Sequence, residues 1–208
     1  MLFPGPCGGK SSSLEYLLKE LKSFPAFETF EVYTVPESAT LIGNCGLVYP
    51  GLSEERRAEL THFELELMKL QLCLEDTIVN IAKFSKKNCI IICDRGTIDL
   101  KPYMPEESWM QIVEELSLNE SELFRRYQFV LHLHSVAVGA ESYYSNDSNA
   151  VRTETVEEAK FLDKVTYDFW SPHPNLKAVD NNCENFAAKL KNVRDCVIAE
   201  AMSYFRLN

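Results

Sequence analysis

Apolar and polar positions along this chain fall into blocks of two different periods. Between Ser11 and Lys22, Leu14, Leu17, Leu18 and Leu21 recur at helical spacing, and SFPAFE then stops the pattern. TFEVYTVPE, closing at Pro36-Glu37, reads as a strand. From Ser53 to about Lys83, Leu60, Phe63, Leu67, Leu70, Leu74, Ile78 and Ile81 step by threes and fours, with Leu65, Met68, Leu72 and Val79 as a second row. An apolar face that wide predicts a helix packed on a sheet rather than a coiled-coil seam. Ser53 is the expected N-cap, and Glu54 and Glu55 suit the helix dipole.

NCIIICDRG is an unbroken apolar run ending at Asp94, the pattern of a strand buried on both faces in a parallel sheet. YQFVLHLHS (127–135) and NLKAVDNN (175–182) predict two further strands. Helical patterns run from Glu107 to Leu116, Thr155 to Trp170 and Glu184 to Phe205. Strands alternating with helices imply an α/β fold with a mostly parallel sheet and right-handed crossovers. No repeat, low-complexity segment or long linker divides the chain, so residues 1–208 are expected to form one domain.

Composition narrows the class. With 208 residues, the chain can bury roughly 70% of its unfolded surface, enough for a core without staples. It is 46% hydrophobic and 25% charged, and it has no run of about 18 apolar residues, so no transmembrane segment is expected. MLFPGPCGG lacks the basic start and apolar stretch of a signal peptide. Seven cysteines without CxxC spacing read as reduced thiols, which points to a cytoplasmic location and away from zinc. A net charge of -10 argues against nucleic acid as a partner. A nucleotide is different, because magnesium and backbone amides can neutralise its phosphates.

The strongest chemical signal is Gly8-Gly9-Lys10-Ser11 running directly into a helix. Small residues let backbone N–H groups turn toward a phosphate, the helix terminus adds partial positive charge, Lys10 can reach the terminal phosphates, and the Ser11 hydroxyl can ligate Mg2+. Asp94, at the end of a buried strand, stands where a carboxylate approaches that magnesium, in part through water. Arg95 follows, to contact phosphate or substrate or to form a structural ion pair. Glu37 ends the second strand, and ligands of open α/β sheets gather at such strand ends. One carboxylate can hold metal while the other accepts a proton from a substrate hydroxyl. The polar stretch VAVGAESYYSNDSNAVRTETVEEA has the character of a lid, with Arg152 its only arginine and Thr153 or Thr155 as caps for the next helix. Asp180-Asn181-Asn182 can meet a nucleobase or make an Asx turn. His132 and His134 share one strand face, but the sequence supplies no further metal ligand, so packing is the expected role.

In this order, GPCGGKSS, VPESAT, NCIIICDRG, HSVAVGAESYY, AVRTETVEEAKFLD and HPNLKAVDNN resemble the NadR-like AAA family that includes the TRPL translocation defect proteins. That resemblance implies a three-layer P-loop NTPase fold of nucleoside-kinase type, with a mostly parallel five-stranded sheet. It implies that Gly5, Pro6, Cys7, Gly8, Gly9, Lys10, Ser11 and Ser12 bind nucleotide phosphates. It places Glu37, Asp94 and Arg95 on the acceptor or metal side, Arg152 in the lid, and Asp180 and Asn181 near the base. Family members carry a first strand of several apolar residues and a glycine where this chain has Pro4, so the first strand is expected to be truncated.

Three functional expectations follow. The first is a Mg2+-dependent ATP- or GTP-binding domain that hydrolyses the γ-phosphate or transfers it to a small-molecule acceptor. The second is a GTP-dependent binding module acting through membrane lipid, such as acidic phospholipid, or trafficking partners with little catalysis. The third is a vestigial phosphate site, motivated by Pro4 and the short first strand.

Overall fold

The structure, a computed structural model, describes residues 2–4, 10–139 and 155–207. Five strands and seven α-helices are described, β1 (Leu2–Pro4), α1 (Lys10–Ser23), β2 (Glu31–Val35), α2 (Ser38–Asn44), α3 (Arg57–Phe84), β3 (Cys89–Cys93), α4 (Glu106–Glu115), α5 (Glu120–Arg125), β4 (Val130–Leu133), α6 (Val156–Trp170), β5 (Leu176–Val179) and α7 (Phe186–Phe205). Each pairing is parallel, as the alternation of strands and helices requires.

The expected single five-stranded sheet is divided. β1, β4 and β5 form one sheet in that order, and β2 and β3 form another. Among the described residues β1 gives β4 three residues, Leu2 opposite Leu131, Phe3 opposite His132 and Pro4 opposite Leu133, and pairs with no other strand. One of the three is a proline, which brings no N–H. Pro4 therefore belongs to the strand rather than to the loop that follows it.

Two apolar cores flank the strands. Leu60, Leu67 and Met68 of α3 pack with Trp109 and Ile112 of α4, Leu123 of α5 and Trp170 of α6. On the other side Leu17 and Leu21 of α1 meet Ile92, Leu131, Leu133, and Val193 and Ile198 of α7. Along β4 the period of two assigns these sides, with Leu131 and Leu133 in the second core and Val130 in the first.

Several element limits shift for local reasons. Ser53 makes no side-chain cap bond; a 3-10 turn over Glu54–Arg56 precedes α3, because Arg56 leaves helical angles at φ -107 and ψ 13. Thr155 does cap α6, in a reciprocal capping box with Glu158. Asn185 caps α7 through Ala188 N–H at 3.0 Å. α2, α5 and the 3-10 segment Thr97–Tyr103 carry no long periodic pattern and were not expected.

Candidate functional site

The chain leaves β2 at Val35 and turns through Pro36 into α2, and Glu37 stands at the N-cap of that helix. Its Oε2 accepts a hydrogen bond from Thr40 Oγ1 at 2.7 Å, which fixes the carboxylate outside the helix axis. Next door β3 ends at Cys93, and Asp94 N–H continues the ladder to Val35 O at 2.8 Å. The tight turn after it forces Arg95 into the left-handed region, at φ 72, an uncommon conformation for a side chain of that size. The turn aims Arg95 back toward β2. Its Nε lies 2.6 Å from Glu37 Oε1, and both side chains are less than one-fifth exposed. The contact is an ion pair without hydrogen-bond alignment at Nε. Burial works against the Arg95 charge, but Tyr103, Glu37, Asp99 and Asp94 together more than offset it.

A buried polar frame holds this turn from behind. Thr97 N–H donates to Tyr127 Oη at 2.8 Å, and Tyr127 Oη donates to Glu75 Oε1 at 2.7 Å. Gln71 Nε2 donates to the same Glu75 oxygen at 2.9 Å, while Arg126 Nε bonds Glu75 Oε2 at 2.7 Å. Asp99 accepts from Gly96 N–H at 2.7 Å and from Trp170 Nε1 at 2.8 Å. Apart from the part-buried Arg126 bond, these bonds are buried, so losing one partner would strand another.

The wall continues from Arg95 into residues that the sequence reading missed. The Arg95 guanidinium carbon stands 5.9 Å from the Tyr103 ring centroid, within cation–π range. Tyr49 Oη donates to Tyr103 O at 2.6 Å. Glu64 lies in the electrostatic reach of Tyr49. It is 2% exposed, its Oε2 has no hydrogen-bond partner, and burial pushes its carboxyl up to about 8. At neutral pH this group is a carboxylic acid, offering one donor and one acceptor side by side. A signal was present in the sequence: Glu64, Gln71 and Glu75 occupy the same α3 stripe as Leu60, Leu67 and Met68, where a solvated face would not place them.

A second cluster closes the carboxyl end of β4. Asp163 of α6 is shared by His132 Nε2 at 3.2 Å, His134 Nδ1 at 2.7 Å and Ser135 N–H at 2.8 Å. Burial opposes the Asp163 charge, yet these bonds hold its carboxyl well below the usual range. The two histidines share one face as the strand period requires, and both rings pack on Tyr167. The expectation that nothing joins them as a further potential metal ligand is corrected, since Asp163 reaches both. Its signal was again a polar residue in a buried helical row, here between Ala159 and Thr166.

Beside this cluster, Asn181 Nδ2 donates to Ser135 O and Val138 O, each at 2.7 Å, and Lys189 Nζ donates to His134 O at 2.7 Å and Asn181 Oδ1 at 2.8 Å. Asp180 Oδ1 accepts from Asn182 N–H at 2.9 Å, an Asx turn. The segment leading out of β4 is thus tied to the end of β5. Of the remaining expected site residues, Lys10 and Ser11 open α1 and Ser12 is exposed in its first turn. Gly5, Pro6, Cys7, Gly8, Gly9 and Arg152 lie outside the described residues.

The parallel strands and flanking helices define an α/β fold, and that fold matches solved nucleoside-kinase structures. Deoxyadenosine kinase from M. mycoides with bound dATP is similar over 96% of this chain and 97% of its own, with a TM-score of 0.53 and 14% identity. The same kinase with its products dCMP and a flexible dCDP bound matches 97% of each chain, also at a TM-score of 0.53 and 14% identity. A family model described as an AAA domain, AAA_28, matches residues 1–184, and the chain belongs to that family. None of the curated proteins matches. Among the described residues no helix is long and apolar enough to cross a membrane.

Proposed function

We propose that this chain binds a nucleoside triphosphate with Mg2+ and transfers its γ-phosphate to the hydroxyl of a small nucleoside-like acceptor. The Glu37–Arg95 pair at the ends of β2 and β3 carries the reading. A carboxylate held 2.6 Å from a guanidinium is fixed in position, as a base for a substrate hydroxyl must be. Arg95 also leaves positive charge beside the place where phosphoryl oxygens would arrive.

The donor set for magnesium is hard oxygen throughout, with Ser11 at the start of α1 and Asp94 at the end of β3. Those two residues would hold the ion, Asp94 in part through water, and the bound ion would supply charge neutralisation of the phosphates. Gly5 to Gly9 with Lys10 and Ser12 would hold the phosphate chain, with Arg152 closing over it. The acceptor would lie against Glu37 and Arg95, with Tyr103, Tyr49 and the neutral Glu64 as the wall that reads it. Asp180 and Asn181 are assigned to the base side of the bound nucleotide. ATP, GTP and the acceptor are to be distinguished by single-turnover assays against a nucleoside panel. Glu37→Gln should lower the transfer rate by roughly 10²–10⁴-fold with nucleotide affinity retained, and Lys10→Ala should abolish Mg-nucleotide binding. Unchanged transfer by a folded Glu37→Gln variant would refute the assignment. Nucleotide-dependent flotation on acidic liposomes without transfer to any acceptor would instead favour a binding module.

A further inference from the structure

We propose that His132, His134 and Asp163 form a binding site for a divalent transition-metal ion of the zinc class, at the carboxyl end of β4 and without a cysteine ligand. Two imidazoles and one carboxylate supply two nitrogens and an oxygen, and these donor atoms all lie within 4.8 Å of one another. Nitrogen and oxygen together suit zinc and its neighbours, whereas Mg2+ and Ca2+ prefer oxygen alone.

The three side chains converge on one point. His132 lies on β4 and His134 one residue beyond it, so the period of two puts both rings on one face but does not by itself bring their nitrogens together. They meet because each ring presents a different atom, His132 Nε2 at 3.2 Å from Asp163 Oδ1 and His134 Nδ1 at 2.7 Å from Asp163 Oδ2. An ion about 2.0–2.1 Å from each ligand of a tetrahedron sets neighbouring ligands about 3.3 Å apart. The His132 pair already stands near that separation. The His134 pair would open by about 0.6 Å to reach it. His134 is the ring with room to move, since it is one-quarter exposed while His132 and Asp163 are buried. The same exposure gives the ion a way in and would leave a fourth coordination position to water.

The surroundings hold the ligands in place. Ser135 N–H donates to Asp163 Oδ1 at 2.8 Å and orients the carboxylate. The Tyr167 ring packs on both imidazoles, with centroids 5.3 Å and 6.0 Å away. Lys189 Nζ donates to His134 O at 2.7 Å, so the backbone that carries one ligand is anchored to α7. That lysine bonds His134 O and Asn181 Oδ1 rather than Asp163. Among the described residues the ion-pair partners of Asp163 are the two histidines. With Asp163 on α6 and the histidines on the β4 run, a bound ion would cross-link helix to sheet, so metal loading should stabilise the fold.

The test uses the full chain, stripped with a chelator and titrated with Zn2+ in excess Mg2+. One Zn2+ per chain should bind and raise the thermal midpoint, with Mg2+ failing to displace it. X-ray absorption of the zinc-loaded wild type should show nitrogen and oxygen neighbours at about 2.0–2.1 Å and no sulfur at about 2.3 Å. The sulfur criterion matters because Cys45 and Cys73 are exposed thiols that compete for the ion. His134→Phe keeps a ring against Tyr167 and removes the ligand atom. It should weaken Zn2+ binding at least ~10-fold while circular dichroism shows the fold intact. Sulfur in the coordination shell, unchanged affinity in the folded His134→Phe variant, or no stoichiometric binding by the wild type would overturn the proposal. None of these readouts depends on phosphoryl transfer, so they stand whatever the acceptor assays give.

Discussion

Glu64 gives the sharpest quantitative prediction. The perturbation is Glu64→Gln, which keeps the shape and removes the titration. In the folded chain the carboxyl holds its proton up to about 8, whereas its ordinary value is 4.5. Between those two values the folded state binds a proton that the unfolded state has released. Stability contributed at this position is therefore greatest below pH 4.5, falls as pH rises toward 8, and is constant above it. One proton gives a limiting slope of ~1.36 kcal/mol per pH unit, and the whole window amounts to roughly 4–5 kcal/mol before relaxation and water entry reduce it. A difference of about 3 kcal/mol at pH 8 would be ample for detection, since a chain of this size shifts its midpoint by roughly 2–4 °C per kcal/mol.

The assay is urea unfolding of the wild type and Glu64→Gln at pH 5, 6, 7 and 8. Taking the difference between the two proteins cancels other groups that titrate in the window. His132, held low mainly by its burial, acts with the opposite sign, because the unfolded chain binds its proton first. The wild type should lose stability relative to the variant as pH rises, with the variant the more stable by pH 8. Parallel pH curves would refute the reasoning, since they would mean that Glu64 ionises normally in the folded chain.

Arg95→Lys keeps the charge but loses the planar fork, so single-turnover transfer should fall by roughly 10–100-fold, and an unchanged rate would show that Arg95 serves only as a counter-ion. Tyr127→Phe removes the hydroxyl between Thr97 N–H and Glu75 Oε1. It should cost about 1–3 kcal/mol in urea unfolding, and a change below ~0.5 kcal/mol would mean that the buried frame does not depend on it. Asn185→Ala deletes the acceptor of Ala188 N–H. It should cost ~1 kcal/mol by the same measurement, and no loss would mean that water caps α7 equally well.

The elements most legible in the sequence are those whose pattern is long or uniform. β3 coincides with CIIIC at both ends, and the leucines of α1 and the double row of α3 predicted where those helices pack. Period two put His132 of β4 and His134, one residue beyond the strand, on one face, where both meet Asp163. Short elements without periodicity were hidden, as α2 and α5 show. Glu37 was read as the end of a strand, but β2 ends at Val35 and Glu37 stands at the N-cap of α2 two residues later; its pairing with Arg95 depends on the register of β2 against β3 and on the positive φ at Arg95. No spacing rule along one strand contains that information. Glu64 and Asp163 failed for the opposite reason: each lies in an apolar row, and helical periodicity was used to find leucines rather than the acids among them.

The divided sheet bears on how the two halves of the proposed site are held together. Glu37, Asp94 and Arg95 follow the β2–β3 pair, whereas the proposed phosphate-binding residues follow β1 in the sequence, and β1 is hydrogen-bonded to β4. No ladder joins the halves among the described residues. They meet through packing, with Ile92 of β3 in one core with Leu131 and Leu133 of β4 and with Leu17 and Leu21 of α1. Backbone ladders fix strands in discrete register, while apolar contacts tolerate small sliding at lower cost. In-line phosphoryl transfer is sensitive to misplacement by about 1 Å. The distance between donor and acceptor sides would therefore be less firmly set than either side alone. In the proposed arrangement nucleotide binding would draw on the residues around the start of α1, so it could persist where transfer is slow, and the two proposed activities should separate experimentally along the line between the two sheets.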